Sequence, residues 1–155
     1  RLPVGRRAVV ALVLLQQRDP WIFFLLLAIV WLGDTAAYYI GSAWGKHRLA
    51  PVISPKKSWE GAIAGLVTSL LATAVWSLWR MDTVDPALLA VALATAIASQ
   101  LGDLVESLVK RAANVKDSGA ILPGHGGMFD RFDAMFLAAP VMLLGLWLAG
   151  IELAR

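Results

Sequence analysis

Apolar residues run in long blocks along this chain, and the polar residues collect between the blocks. Trp21–Ile40 is the first block able to cross a hydrocarbon core, which takes about 20 apolar residues. Asp19-Pro20 opens it as a helix start, and Asp34 is its one charge. Gly61–Trp79 is a second, uncharged block, and Ala87–Val109 a third. Phe132–Leu153 is the last, with Pro140 placed to bend it. Upstream, the apolar run Ala8–Leu15 is too short to span, and reads as the end of a truncated spanning helix or as an interfacial segment. The pattern predicts an all-α fold: a polytopic transmembrane helix bundle of about four spanning helices plus a short N-terminal segment. Residues 1–155 then form a single membrane-embedded domain.

Polar positions refine this picture. In the second half of the third block, Ser99, Gln100, Asp103, Ser107 and Lys110 recur at spacings of three and four. On a helix they share one stripe, so Asp103, Ser107 and Lys110 are expected to face a common cleft. Glu106 lies off the stripe's centre and can pair with Lys110 at i, i+4. Gly61-xxx-Gly65 is a small-xxx-small pattern that brings helices close, and such patterns also permit a homodimer. Two polar loops, 41–60 and 110–131, carry Lys46, His47, Arg48, Lys56, Lys57, Lys110, Arg111 and Lys116. Their positive charge predicts a cytoplasmic location, and the short RMDTVDP loop after Trp79 falls on the outer side. Pro51 and Pro55 keep the first loop from extending the helix before it. Ser58 is placed to cap the following helix, which puts Lys56 and Lys57 at a positive helix terminus where anions gather.

Composition agrees with a membrane protein. Of 155 residues, 59% are hydrophobic and 16% charged, with seven tryptophans and a mean hydropathy of +0.68. The absence of cysteine excludes disulfides, thiolate chemistry and cysteine-ligated zinc. The basic residues sit at the ends of apolar spans, not along a solvated face, which argues against nucleic-acid binding. The chain opens on Arg1, and it reads as processed or as part of a longer protein.

Candidate chemistry concentrates in Gly102–Asp133, GDLVESLVKRAANVKDSGAILPGHGGMFDRFD. Acids in a membrane protein persist when they meet cations, a metal or a charged substrate. Asp34 is a candidate on the same ground; the bland alternative is a carboxylate at the water boundary. Asp130 and Asp133 lie at i, i+3, and helix-dipole pairing accounts for one of them. Gly124, Gly126 and Gly127 around His125 let backbone approach a ligand, although a lone histidine is more often a hydrogen-bonded loop residue. Converging carboxylates suit a hard cation such as Mg²⁺, and the surrounding lysines and arginines suit phosphate. No GxxxxGK[ST] or HExxH motif and no Ser-His-Asp arrangement occurs.

The runs Ser107-x-x-Lys110-Arg111-x-x-x-x-Lys116-Asp117 and Pro123-x-His125-Gly126-Gly127-x-x-Asp130-Arg131-x-Asp133 together resemble the signature of phosphatidate cytidylyltransferases, also called CDP-diacylglycerol synthases. WLGDTAAYYIG and LAPVISPKKSWEGAIAG look like that family's preceding blocks, so the resemblance covers Trp21 to Pro140. Family members are longer at the N-terminus, so this chain resembles their C-terminal catalytic part. The resemblance implies that CTP and phosphatidic acid give CDP-diacylglycerol and pyrophosphate with Mg²⁺, beside which a monovalent cation such as K⁺ can sit. It implies Asp103 and Asp130 as metal ligands with Asp133 in support, and Lys110, Arg111, Lys116 and Arg131 at phosphates. Asp103, Asp130, Lys110 and Arg131 are then the catalytic candidates. Asp34, Lys56, Lys57, Ser58, Ser107, Arg111, Lys116, Asp117, His125, Gly126 and Gly127 are the substrate-binding candidates. The expected setting is a bacterial cytoplasmic membrane, with the site facing the cytoplasm among membrane lipids. Rival readings are a membrane lipid or polyprenol kinase using a nucleoside triphosphate, and an ion or proton transporter with Asp34, Asp103 and Asp130 as its relay.

Overall fold

A computed structural model describes residues 4–112 and 133–151 of the chain. Among the described residues five helices, α1 (Val4–Arg18), α2 (Pro20–Trp44), α3 (Trp59–Met81), α4 (Pro86–Ala112) and α5 (Asp133–Leu148), form the bundle. Each packs on a neighbour, α1 also rests on α5, and α2 touches α4 and α5. The short strands β1 (Arg48–Ala50) and β2 (Ser54–Ser58) stand between α2 and α3.

Helix starts follow local chemistry. Asp19 caps α2 by accepting the Trp21 N–H at 2.8 Å, and Pro20 fills the first helical position. Asp85-Pro86 repeats the device at α4, where Asp85 accepts the Ala87 N–H at 2.8 Å. Ser58 caps α3 as expected, accepting the Gly61 N–H at 3.2 Å. Asp82 ends α3 in the left-handed conformation, φ 56°, which a short polar side chain tolerates.

α3 carries its large side chains on the outside. It buries Gly61, Gly65, Ser69, Thr73 and Ser77 and exposes Ile63, Val67, Leu71 and Val75. A soluble helix does the reverse; small residues inside and branched apolar residues outside suit a helix in lipid. The small face meets α2 closely. A methyl group on Gly61 would lie 2.5 Å from the Ala37 carbonyl oxygen, and one on Gly65 would lie 2.9 Å from that of Gly33. Ser69 Oγ donates to the Ile29 carbonyl at 2.8 Å across the same seam. Gly61-xxx-Gly65 is therefore used within the chain.

α2, α3 and α4, at 25, 23 and 27 residues, are long and apolar enough to cross a membrane. Where the fourth span is expected, the described residues hold α5, a helix of 16 residues that contains Pro140. Ala8–Leu15 belongs to α1, a 15-residue helix that turns Ala8, Ala11 and Leu15 inward. Both are shorter than the roughly 20 residues a span takes. Together these elements make a polytopic membrane helix bundle.

The polar region 41–60, expected as an irregular loop, is largely structured. α2 continues to Trp44, because Gly41 fits against Gly61 and Ser58 and keeps the helix seated on α3. β1 and β2 then pair antiparallel, Arg48 opposite Ser58 and Ala50 opposite Ser54, with a register shift between. Two prolines and a lysine pair hide this hairpin from a period-2 reading, and Pro55 is tolerated because each strand is an edge.

Candidate active site

A cavity of about 500 Å³ opens between the end of α2, the start of α3, the hairpin and α4. α2 supplies a stripe at helical spacing, Asp34, Ala37, Tyr38, Gly41 and Ser42, and Gly45 follows at its C-cap. The hairpin adds Arg48, Leu49, Lys56, Lys57 and Ser58, the first turn of α3 adds Gly61 and Ala62, and α4 adds Gln100 and Asp103. Asp34 lies about ten residues before the end of α2, so the cavity reaches roughly 15 Å inward along that helix.

The glycine seam gives the cavity its shape. Because α2 and α3 touch through Gly41 and Gly61, the capped N-terminus of α3 forms a wall of the cavity instead of being screened by side chains. Its partial positive charge then meets the cavity beside Lys56 and Lys57. Gln100 Nε2 donates to the Ala62 carbonyl at 3.0 Å, tying α4 to α3 at the same level.

Lys57 Nζ lies 2.9 Å from Asp103 Oδ2, and both side chains remain about 30% exposed. Each keeps access to the cavity, so the pair can open to other ligands. Asp34 lies within electrostatic reach of both. Two carboxylates, a lysine pair and a helix N-terminus thus share one half-open space.

The structure brings together five of the residues singled out from sequence: Asp34, Lys56, Lys57, Ser58 and Asp103. It separates others from them. Ser107, Lys110 and Arg111 do not line this cavity, so the common cleft expected for Asp103, Ser107 and Lys110 is not this space. Lys110 lies about 10 Å farther along α4 than Asp103, and its Nζ pairs with Glu106 Oε1 at 2.7 Å, the expected i, i+4 bridge. Lys116, Asp117, His125, Gly126, Gly127, Asp130 and Arg131 lie outside the described residues. Asp133 opens α5, but its side chain lies outside them too.

Tyr38, Ser42, Gln100 and Arg48 line the cavity without being among the site candidates from sequence, where Arg48 stands in the positive cluster that marks topology. Tyr38 and Ser42 follow Asp34 at i+4 and i+8, and Gln100 precedes Asp103 at i−3, so helical spacing from the acids finds all three. No comparable signal marks Arg48.

The donor chemistry fits a hard cation in part. Asp34 and Asp103 offer carboxylate oxygens to one polar cavity, as Mg²⁺ prefers. Among the described residues no three acidic, histidine or cysteine side chains gather as a metal site, so these two supply only part of a coordination shell.

A bundle of long apolar helices with a charged cavity at one end defines a membrane protein with a polar site. Comparison with known proteins narrows the class. The sequence profile of the cytidylyltransferase family matches residues 5–149. The chain is 44% identical over 132 residues to the phosphatidate cytidylyltransferase of Staphylococcus saprophyticus, covering 83% of this chain and 51% of that protein. The corresponding protein of Haemophilus influenzae is 42% identical over 131 residues, covering 79% and 46%. That of Staphylococcus aureus strain COL is 48% identical over 132 residues, covering 82% and 50%. This chain belongs to the cytidylyltransferase family, and it spans about half the length of the curated relatives it matches.

Proposed function

We propose that the protein is a Mg²⁺-dependent phosphatidate cytidylyltransferase, forming CDP-diacylglycerol and pyrophosphate from CTP and phosphatidic acid in a bacterial cytoplasmic membrane. The observation that carries this reading is the shared cavity, where Asp34 and Asp103 face Lys56 and Lys57 at the capped start of α3. Family membership and the names of the relatives support the same reaction.

In the proposed reaction an oxygen of the lipid phosphate attacks the α-phosphorus of CTP. The new P–O bond forms as the bond to the β-phosphate bridging oxygen breaks, and pyrophosphate leaves with that electron pair. Lys56, Lys57 and the α3 N-terminus hold phosphate oxygens, and Ser58 keeps that terminus in place. Asp103, with Asp130 and Asp133, would hold Mg²⁺ and a monovalent cation such as K⁺, which would supply positive charge against the triphosphate. Support for grouping these acids comes from the register of α4 and α5. Gly145 sits against Val91, and with α5 returning along α4, about a dozen residues back brings Asp133 level with Asp103. Lys110, Arg111, Lys116 and Arg131 complete the phosphate-binding set, and the basic loops face the cytoplasm by their charge.

The test uses the full-length protein in lipid vesicles with CTP labelled at the α-phosphate. Label entering lipid with release of pyrophosphate is the expected result, and its loss on removing Mg²⁺ is expected too. Release of CDP with phosphate transferred to lipid would instead assign a kinase, and no transfer at all would overturn the reading.

A further inference from the structure

We infer that Arg48 is a further phosphate-binding residue of this cavity, and that Glu60 and His47 act as positioning residues that hold it there. This rests on the cytidylyltransferase reading above. Among the described residues the hairpin supplies most of the cavity wall outside the helices, and its two short strands meet in a shifted register. Such a hairpin has little stability of its own. β2 is anchored twice, by the Ser58 cap that runs directly into α3 and by Lys57 on Asp103. β1, which begins at Arg48, needs a separate tether.

Glu60 in the first turn of α3 supplies it. Its carboxylate accepts the His47 backbone N–H, at 3.3 Å to each oxygen, and its Oε1 lies 2.7 Å from His47 Nδ1. An ionised carboxylate can only accept, so this contact calls for the ring proton on Nδ1. The Trp59 N–H donates to the His47 carbonyl at 3.0 Å, so both faces of residue 47 are held against the start of α3. Arg48 follows immediately and lines the cavity.

The charge balance says what Arg48 is for. Lys57 rests against Asp103 at 2.9 Å and Lys110 against Glu106 at 2.7 Å, whereas Arg48, also on the cavity wall, makes no ion pair among the described residues. A planar guanidinium held at a fixed strand position presents paired N–H donors, which match two oxygens of one phosphate. That phosphate can belong to the nucleotide or to the lipid headgroup, and the Michaelis constants of the two substrates tell them apart.

The experiment measures kcat and both KM values in the full-length protein in vesicles, for Arg48→Ala, Arg48→Lys, Glu60→Ala, Glu60→Gln and the Arg48→Ala/Glu60→Ala double variant. Arg48→Ala is expected to raise the KM of one substrate by about tenfold, the loss typical of a charge-assisted hydrogen bond, with kcat less affected. A rise for CTP assigns the triphosphate, and a rise for phosphatidic acid assigns the headgroup. Arg48→Lys recovers part of the loss. Glu60→Ala raises the same KM by a smaller factor, but adds nothing in the Arg48→Ala background, because its effect passes through Arg48. Glu60→Gln keeps a carbonyl acceptor for the His47 N–H and falls between Glu60→Ala and wild type, which covers the case in which Glu60→Ala fails to fold. Unchanged KM values for Arg48→Ala in an active enzyme overturn the role of Arg48, and full additivity in the double variant overturns that of Glu60. Wild-type protein that transfers no cytidylyl group overturns the reaction itself, independently of both.

Discussion

Asp103 and Lys57 form the contact on which the proposed chemistry turns, and their partial exposure decides how to read it. An ion pair that keeps about 30% of each side chain open contributes on the order of 0–1 kcal/mol, because water screens it. Lys57→Met is therefore expected to lower the thermal midpoint only slightly while raising the KM for CTP several-fold; a large midpoint drop with unchanged KM would make the pair structural. Asp103→Asn keeps the shape of the side chain and removes its charge. Transfer activity is expected to fall by about 10²–10³-fold with the circular-dichroism spectrum unchanged, the scale typical of losing one electrostatic stabiliser of a transition state. An Asp103→Asn enzyme with full activity would make that carboxylate a packing group.

Among the elements, the seam between α2 and α3 sets the geometry of the cavity. Gly65 faces the Gly33 carbonyl, the Gln100 amide and Ala37, so Gly65→Val has no room without moving a helix backbone. It should lower the melting temperature and abolish activity together, while Leu71→Val on the exposed face of the same helix should leave both near wild type. Ser58→Ala removes the cap of α3 and is expected to cost about 1 kcal/mol in unfolding experiments. It should also weaken CTP binding, because Lys56 and Lys57 immediately precede the cap. Caps and spans are legible in the chain itself: Asp19-Pro20 and Ser58 mark helix starts by local hydrogen bonding alone. The hairpin is not, because its prolines and lysines break the alternation that advertises a strand.

Across the whole molecule, charge differs at the two ends. The cavity end carries Lys46, Arg48, Lys56, Lys57, Lys110 and Arg111. At the other end Arg80 binds Asp19 at 3.2 Å and stacks over Trp21, whose ring meets Trp79 edge-on at 5.0 Å. Tryptophans favour the membrane interface, so this cluster suits the opposite rim. A chain without cysteine makes the orientation simple to test. A membrane-impermeant maleimide should label Val52→Cys at the hairpin tip only from the cytoplasmic side, and Thr83→Cys in the α3–α4 turn only from the outer side. Labelling in the opposite sense would reverse the proposed topology.

Local order in the chain is enough to settle that long helices form, where they begin, and that Glu106 meets Lys110 one turn away, since each of these depends on neighbours within a few residues. The excess of lysine and acid among apolar blocks is enough to point to phosphate and a hard cation. Tertiary structure alone decided that Lys57 reaches Asp103 across 46 positions, that Arg48 and Tyr38 line the same space as Asp34, and that Lys110 does not line it. The reason is physical: hydrophobic period places a helix in the bilayer but says little about its partner or its depth against that partner. Those are set by how closely two backbones approach, and here the glycines of α2 and α3 set that distance.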